Sequence, residues 1–127
     1  MSANLTNSEE RRLLDTSLDG TYLCLFTASP TEAGTLTAEV SGGSYARQAA
    51  SFGAAATDGS NNTTKTLSGD VTFPTASADW GTVTHFGFAS AATAGTLRWW
   101  APLDVSKAIG SGDTYKQSAA GTVASLD

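Results

Sequence analysis

One histidine and one cysteine bound what this chain can do by acid–base, nucleophilic or metal chemistry. His85 stands inside the run Thr82-Val83-Thr84-His85-Phe86-Gly87-Phe88, which is β-branched and aromatic. A Ser-His-Asp arrangement would have to use it, yet the serines fall in turn-like stretches and no Gly-X-Ser-X-Gly elbow occurs. His85 therefore reads as a strand residue hydrogen-bonded to its surroundings, in preference to a catalytic base. A zinc site uses three or four protein ligands, more than one His and one Cys supply. Cys24 lies within Tyr22-Leu23-Cys24-Leu25-Phe26, with no second Cys to pair with and no basic neighbour to lower its pKa, so it reads as a small buried hydrophobe. Asp58-Gly59-Ser60-Asn61-Asn62 lacks the spaced carboxylates and terminal Glu of a calcium loop. Ser41-Gly42-Gly43-Ser44 lacks the helix or Lys that would support an anion nest. Both read as turns, and no catalytic residue, cofactor or metal is expected.

Recognition by surface shape remains. Trp80, Trp99, Trp100 and Tyr45 could build a stacking platform for sugars, although dispersed aromatics in a β domain more often fill the core. In Leu97-Arg98-Trp99-Trp100-Ala101-Pro102, strand alternation sends Leu97, Trp99 and Ala101 one way and Arg98, Trp100 and Pro102 the other. With Leu97 and Trp99 inward, Trp100 lies outside beside Arg98, and Trp, Arg and Tyr dominate protein–protein hot spots. The alternative lays Trp100 flat on its own domain under a loop. The expected interface comprises Trp100, Arg98, Tyr45, Arg47 and Leu5.

These residues must be held by one compact unit, because 127 residues are enough for one sizeable core and too few for two. Ala, Ser, Thr and Gly make up 68 of them, and only 15% are charged, so hydroxyls and backbone must do much of the work of solubility. The net charge is −5 and basic residues cluster no further than Arg11-Arg12, which excludes the basic stripe that a nucleic-acid partner demands. No apolar stretch reaches membrane-spanning length and the first residues lack a signal-peptide pattern. The expectation is a chain made in a cytosol and kept there until assembly.

Two kinds of local structure are predicted. Thr6 and Glu9 fit a capping box, Glu9 and Glu10 suit the positive end of a helix dipole, and Gly20 suits a C-terminal cap, giving a helix over 7–18. Its stripe of Leu13, Leu14 and Leu18 is too narrow to stand alone in water. From Thr21 on, short β-branched and aromatic runs alternate with Gly, Ser, Asn and Asp, predicting strands at 22–27, 35–40, 45–52, 64–67, 71–73, 82–89, 97–102, 115–117 and 123–126. The fold class is all-β, an antiparallel β-sandwich or jelly-roll-like domain over 21–127, with an arm and one short α-helix in 1–20 docking on the sheet. Alternation puts Tyr22, Cys24 and Phe26 on one face and Leu23 and Leu25 on the other; both are apolar, so the helix is expected to cover the second.

The segment Val40-Ser41-Gly42-Gly43-Ser44-Tyr45-Ala46-Arg47-Gln48-Ala49 resembles a family of small virion proteins of tailed bacteriophages labelled tail fibre or minor structural protein. Phe52-Gly53-Ala54-Ala55, Val71-Thr72-Phe73-Pro74-Thr75-Ala76, Asp79-Trp80-Gly81-Thr82-Val83-Thr84-His85-Phe86-Gly87 and Leu97-Arg98-Trp99-Trp100 follow in the family's order. The resemblance implies a structural virion protein with no enzymatic activity. Its implied partners are other virion proteins, either the major capsid protein or tail proteins, with homo-oligomers in the particle and neither nucleic acid nor membrane bound. Small size and the absence of repeats favour a capsid decoration (cement) protein that stabilises the head shell. The alternative is a tail fibre or tail-tip component, with host-surface carbohydrate as a candidate ligand.

Overall fold

The computed structural model describes residue 1 and residues 3–126; Ser2 of the predicted arm and the terminal Asp127 lie outside the described residues. The helix α1 spans Asn7–Leu18, as its capping signals predict. Thr6 Oγ1 accepts the Glu9 N–H at 3.2 Å, which satisfies one of the first-turn donors. The reciprocal half of the capping box does not form, because the Glu9 carboxylate pairs with Arg12. Gly20 follows at φ +77°, a left-handed value that turns the chain away from the helix into β1.

Among the described residues nine strands follow, all antiparallel: β1 (Tyr22–Phe26), β2 (Gln48–Ala49), β3 (Ala56–Thr57), β4 (Thr63–Thr66), β5 (Val71–Thr72), β6 (Gly81–Ala89), β7 (Leu97–Ile109), β8 (Lys116–Gln117) and β9 (Val123–Leu126). They form a four-stranded sheet in the order β2-β1-β6-β7, a three-stranded sheet β3-β4-β9 and a two-stranded pair β5-β8. The all-β class with one short helix is thus the observed one.

The main core gathers side chains from every layer. Leu23 and Leu25 of β1 and Val83 and Phe88 of β6 meet Leu14 and Leu18 of α1, Leu67, Val71, Phe73 and Tyr115. The helix lies over β3, β4 and β9, and its two buried leucines reach through to the inner face of β1. Burying a Leu fully is worth about 2 kcal/mol, enough to hold a helix that its own propensity would not.

The opposite face of β1 carries Cys24 and Phe26, both fully buried with Ala89 and Leu97 in a second apolar cluster. Residues 29–40 cover it. The predicted strand over 35–40 reduces to a single β-bridge, Phe26 to Glu39. Thr27 N–H to Ala38 O (2.9 Å) and Val40 N–H to Leu25 O (3.0 Å) fasten the end of this flap. Pro30 is buried beneath it and Leu36 packs on the cluster.

The long β6–β7 ribbon departs from regular alternation twice. Phe88 faces Trp99 and Ala89 faces Leu97, which leaves Arg98 as an extra residue. Leu97 and Trp99 therefore do not share a face, contrary to the sequence expectation: Leu97 joins the Cys24 cluster and Trp99 packs on the main core. Further along, Val83 faces Lys107 and His85 faces Pro102, so the four residues 103–106 oppose Thr84 alone. Gly87 permits the close approach of the two strands. A Cβ there would meet Trp99 O at 2.6 Å and Leu97 Cδ1 at 2.7 Å.

Candidate functional site

The five residues nominated for an interface fall into three settings. Tyr45 and Arg47 lie in one internal network. Tyr45 stacks on Phe73 with centroids 6.0 Å apart and meets Trp80 edge-on at 5.4 Å. Its hydroxyl accepts the Leu25 N–H at 3.1 Å and donates to Glu39 Oε2 at 2.7 Å. Burial, then the neighbouring Glu39 carboxylate, pushes that phenol far above its ordinary pKa. Arg47 forms a fork on the same carboxylate, Nε to Oε2 at 2.8 Å and Nη2 to Oε1 at 2.7 Å, and its Nη1 donates to the carbonyls of Ala91 and Ala94 at 2.8 and 2.7 Å. The Arg47 side chain is 5% exposed. Such a charge-assisted, nearly dry pair fixes geometry, here that of the 90–96 turn and the flap over Cys24.

Arg98 and Trp100 sit at the bulge in β7. Arg98 is exposed and its Nη1 donates to Ser17 O at 3.1 Å, supplying the cation that the last turn of α1 lacks. Trp100 is half-buried against the Cys24 cluster, 5.8 Å from the His85 ring, and its Nε1 donates to Glu32 Oε2 at 3.1 Å. Trp100 thus packs on its own domain and keeps part of its ring open to solvent. Leu5, one residue ahead of the helix cap, is 45% exposed.

The sugar platform of Trp80, Trp99, Trp100 and Tyr45 does not assemble. Trp80 is 5% exposed, its Nε1 bound to Gly43 O at 2.8 Å, and it packs with Tyr45 inside the main core. Trp99 donates to Ser17 Oγ at 2.7 Å and so clasps the helix. Cys24 is fully buried with its thiol on Gly87 O at 3.3 Å, and burial pushes its pKa up to about 12, which leaves no thiolate near neutrality. His85 Nδ1 lies 2.8 Å from Thr84 Oγ1 in the middle of β6. Asp58 closes its turn on the N–H groups of Ser60 and Asn62, which hold its carboxyl below the usual range. Among the described residues no three of His, Cys, Asp and Glu gather as a metal site would need.

A buried lysine that sequence reasoning did not single out ties the helix down. Lys65 of β4 is 1% exposed, and its Nζ reaches Asp15 Oδ1 (2.6 Å), Asp19 Oδ1 (3.0 Å) and Gly53 O (3.0 Å). The hydrogen bond from Lys65, then that from the Ala55 N–H, holds the Asp15 carboxyl below its ordinary value. Alternation along Thr63-Thr64-Lys65-Thr66 could have placed Lys65 inward with Thr63, but its acidic partners lie far away in the chain, Asp15 in the helix and Asp19 at its C-cap.

Two open concavities lie along β7, and a third of about 350 Å³ lies over Glu39, Tyr45 and Arg47, bordered by residues 92–94. A cleft of about 560 Å³ runs between residues 101–107 of β7 and residues 115–123, which include β8 and the start of β9. It adjoins a smaller hollow of about 210 Å³ lined by Phe52, Phe86, Phe88 and Trp99, with which it shares Phe86, Ala101, Thr122 and Val123. Two of the four large hydrophobic residues exposed among the described residues, Val105 (71%) and Val123 (53%), line the cleft.

No curated protein matches the chain. A known family does match, over residues 3–125, which takes in α1, all the strands up to β9 and every nominated residue. Its description agrees with the fibre and structural-protein resemblance drawn from the Val40–Ala49 segment and those that follow it, and the chain belongs to the family described as Podophage GP4 fiber I protein gp80.

Proposed function

We propose that this chain is a fibre subunit of a tailed-phage particle and acts through non-covalent contacts with other virion proteins, further copies of itself included. The observation that carries the reading is the family match across nearly the whole chain. The internal placement of the reactive side chains supports it: the thiol, the buried phenol and the Arg47–Glu39 fork are all engaged in holding the fold. The narrower expectation of a head-decorating cement protein draws on size and the absence of repeats alone, and the family description weighs on the side of the fibre.

Within this reading the contact surface centres on Arg98 and the outer edge of Trp100, with Leu5 on the arm as a second point. Tyr45 and Arg47 act from behind by stiffening the turns around them, which lowers the entropy lost on binding. The test is complementation of particles that lack the chain. Trp100→Ala and Arg98→Glu should each cut incorporation about tenfold or more while the purified variants stay folded. Full occupancy by both variants would remove this surface from the proposal.

A further inference from the structure

We propose that residues 31–35 are the movable tip of the flap over Cys24, latched to Trp100 by Glu32, and that the closed tip shields the contact surface until a partner displaces it. The inference rests on the reading of Trp100 as part of that surface and adds its regulation.

The two ends of the flap are held differently. Its root is pinned in the interior. The Thr27 N–H donates to Ala38 O, the Val40 N–H donates to Leu25 O, and Glu39 receives the Arg47 fork and the Tyr45 hydroxyl. At the tip, Thr31, Glu32, Ala33 and Thr35 are exposed. Their hydrogen bonds close within the turn: the Gly34 N–H donates to Thr31 O at 2.9 Å, the Thr35 N–H to Pro30 O at 3.0 Å and the Ala33 N–H to Thr31 Oγ1 at 3.3 Å. Among the described residues one hydrogen bond joins 31–35 to anything outside 29–36, from Trp100 Nε1 to Glu32 Oε2 at 3.1 Å. That bond is exposed, so water competes for both partners and it opens readily.

Apolar contacts set the limits of the moving part. Pro30 is fully buried and Leu36 packs on the Cys24 cluster, so both stay in place while the residues between them lift. The tip lies over Leu97: a Cβ on Gly34 would meet Leu97 Cβ at 3.8 Å. Lifting it frees the pyrrole edge of Trp100 and uncovers Leu97. Backbone strain favours the lifted form. Thr31 stands at φ +60°, in the left-handed region that a β-branched residue resists, and such a conformation persists only where surrounding contacts impose it. The closed tip therefore stores strain that release of Glu32 relieves, and a partner must supply an acceptor for Trp100 Nε1 in its place.

The test reads the three indole N–H groups of the ¹⁵N-labelled purified chain, with Trp100 assigned by the signal lost in Trp100→Phe. Trp80 and Trp99, bonded to Gly43 O and Ser17 Oγ, serve as references. Glu32→Ala should speed exchange of the Trp100 indole hydrogen with water about fivefold and leave both references unchanged. Thr31→Gly should slow it about twofold, since glycine accepts the left-handed backbone. Both positions are exposed, so the variants should fold as the parent does. On particles that lack the chain, Glu32→Ala should reach the parent's occupancy at about fivefold lower concentration, because less of it is held in the closed form. Unchanged exchange in Glu32→Ala, or faster exchange in Thr31→Gly, would overturn the latch. Faster exchange with occupancy unchanged or reduced would overturn the shielding. Either failure leaves the fibre reading standing, because Trp100→Ala, which lacks the indole altogether, tests the surface without the flap.

Discussion

The two halves of β7 use the same backbone for opposite ends. From Leu97 to Pro102 the strand lies close against β6, and its side chains divide between two apolar clusters, Trp99 in one and Leu97 with Trp100 in the other. From Leu103 to Ala108 only Leu103 is even half-buried, and Val105 stands 71% exposed. The first half builds the molecule, and the second borders an open cleft of about 560 Å³. The Trp-rich half carries internal hydrogen bonds to Ser17 and Glu32, while Asp104 and Lys107 in the plainer half make no side-chain hydrogen bond or ion pair among the described residues.

Substitutions can sharpen that contrast. The largest effect should come from Gly87→Ala in the tight half: the new Cβ has no room against Trp99 O, and a loss of about 3 kcal/mol, the upper end for overpacking, should appear in urea unfolding. Lys65→Ala should cost about 2 kcal/mol, less than a fully dry pair would, since Asp15 and Asp19 both touch water. Trp99→Phe keeps the ring in the core and removes the donor to Ser17, for about 1 kcal/mol in the same assay. Val105→Ser in the open half should change stability by less than about 0.5 kcal/mol. If the two halves responded alike, the division would fail.

The helix clamp adds a pH signature. Asp15 has a folded-state pKa below its unfolded value, so it contributes stability that is fully present above about pH 4 and is lost as pH falls through the lower, folded value. The melting temperature should fall between pH 5 and pH 2.5, and less steeply in Asp15→Asn, whose baseline at pH 7 is already lower. Equal acid sensitivity in both proteins would show that other carboxylates set the slope.

Sequence patterning disclosed local features and missed those set by distant partners. The helix was legible because Thr6, Glu9, Glu10 and Gly20 signal its ends within one stretch of chain. β1 and β6 were legible through uninterrupted apolar or β-branched runs. The strand expected over 45–52 forms only at Gln48–Ala49, since Ser44 at φ +68° and the Tyr45 ring turned into the core break its line. Pro102 looked like a strand end, yet β7 runs on to Ile109, because an edge position tolerates a missing N–H. β3 is two residues of unpatterned Ala56–Thr57 and gave no signal. Of the candidate site, the residue types were legible and their placement was not. The single extra residue at Arg98 sends Leu97 to the cluster opposite Trp99, and the cleft depends on how β7 lies against a segment beginning at Tyr115.

The central claim is that this chain serves in a fibre and acts through its surface. Gold-labelled antibody against the chain, viewed by electron microscopy on intact particles, tests it most directly. The account predicts label on structures projecting from the particle; label spread evenly over the head shell would contradict it.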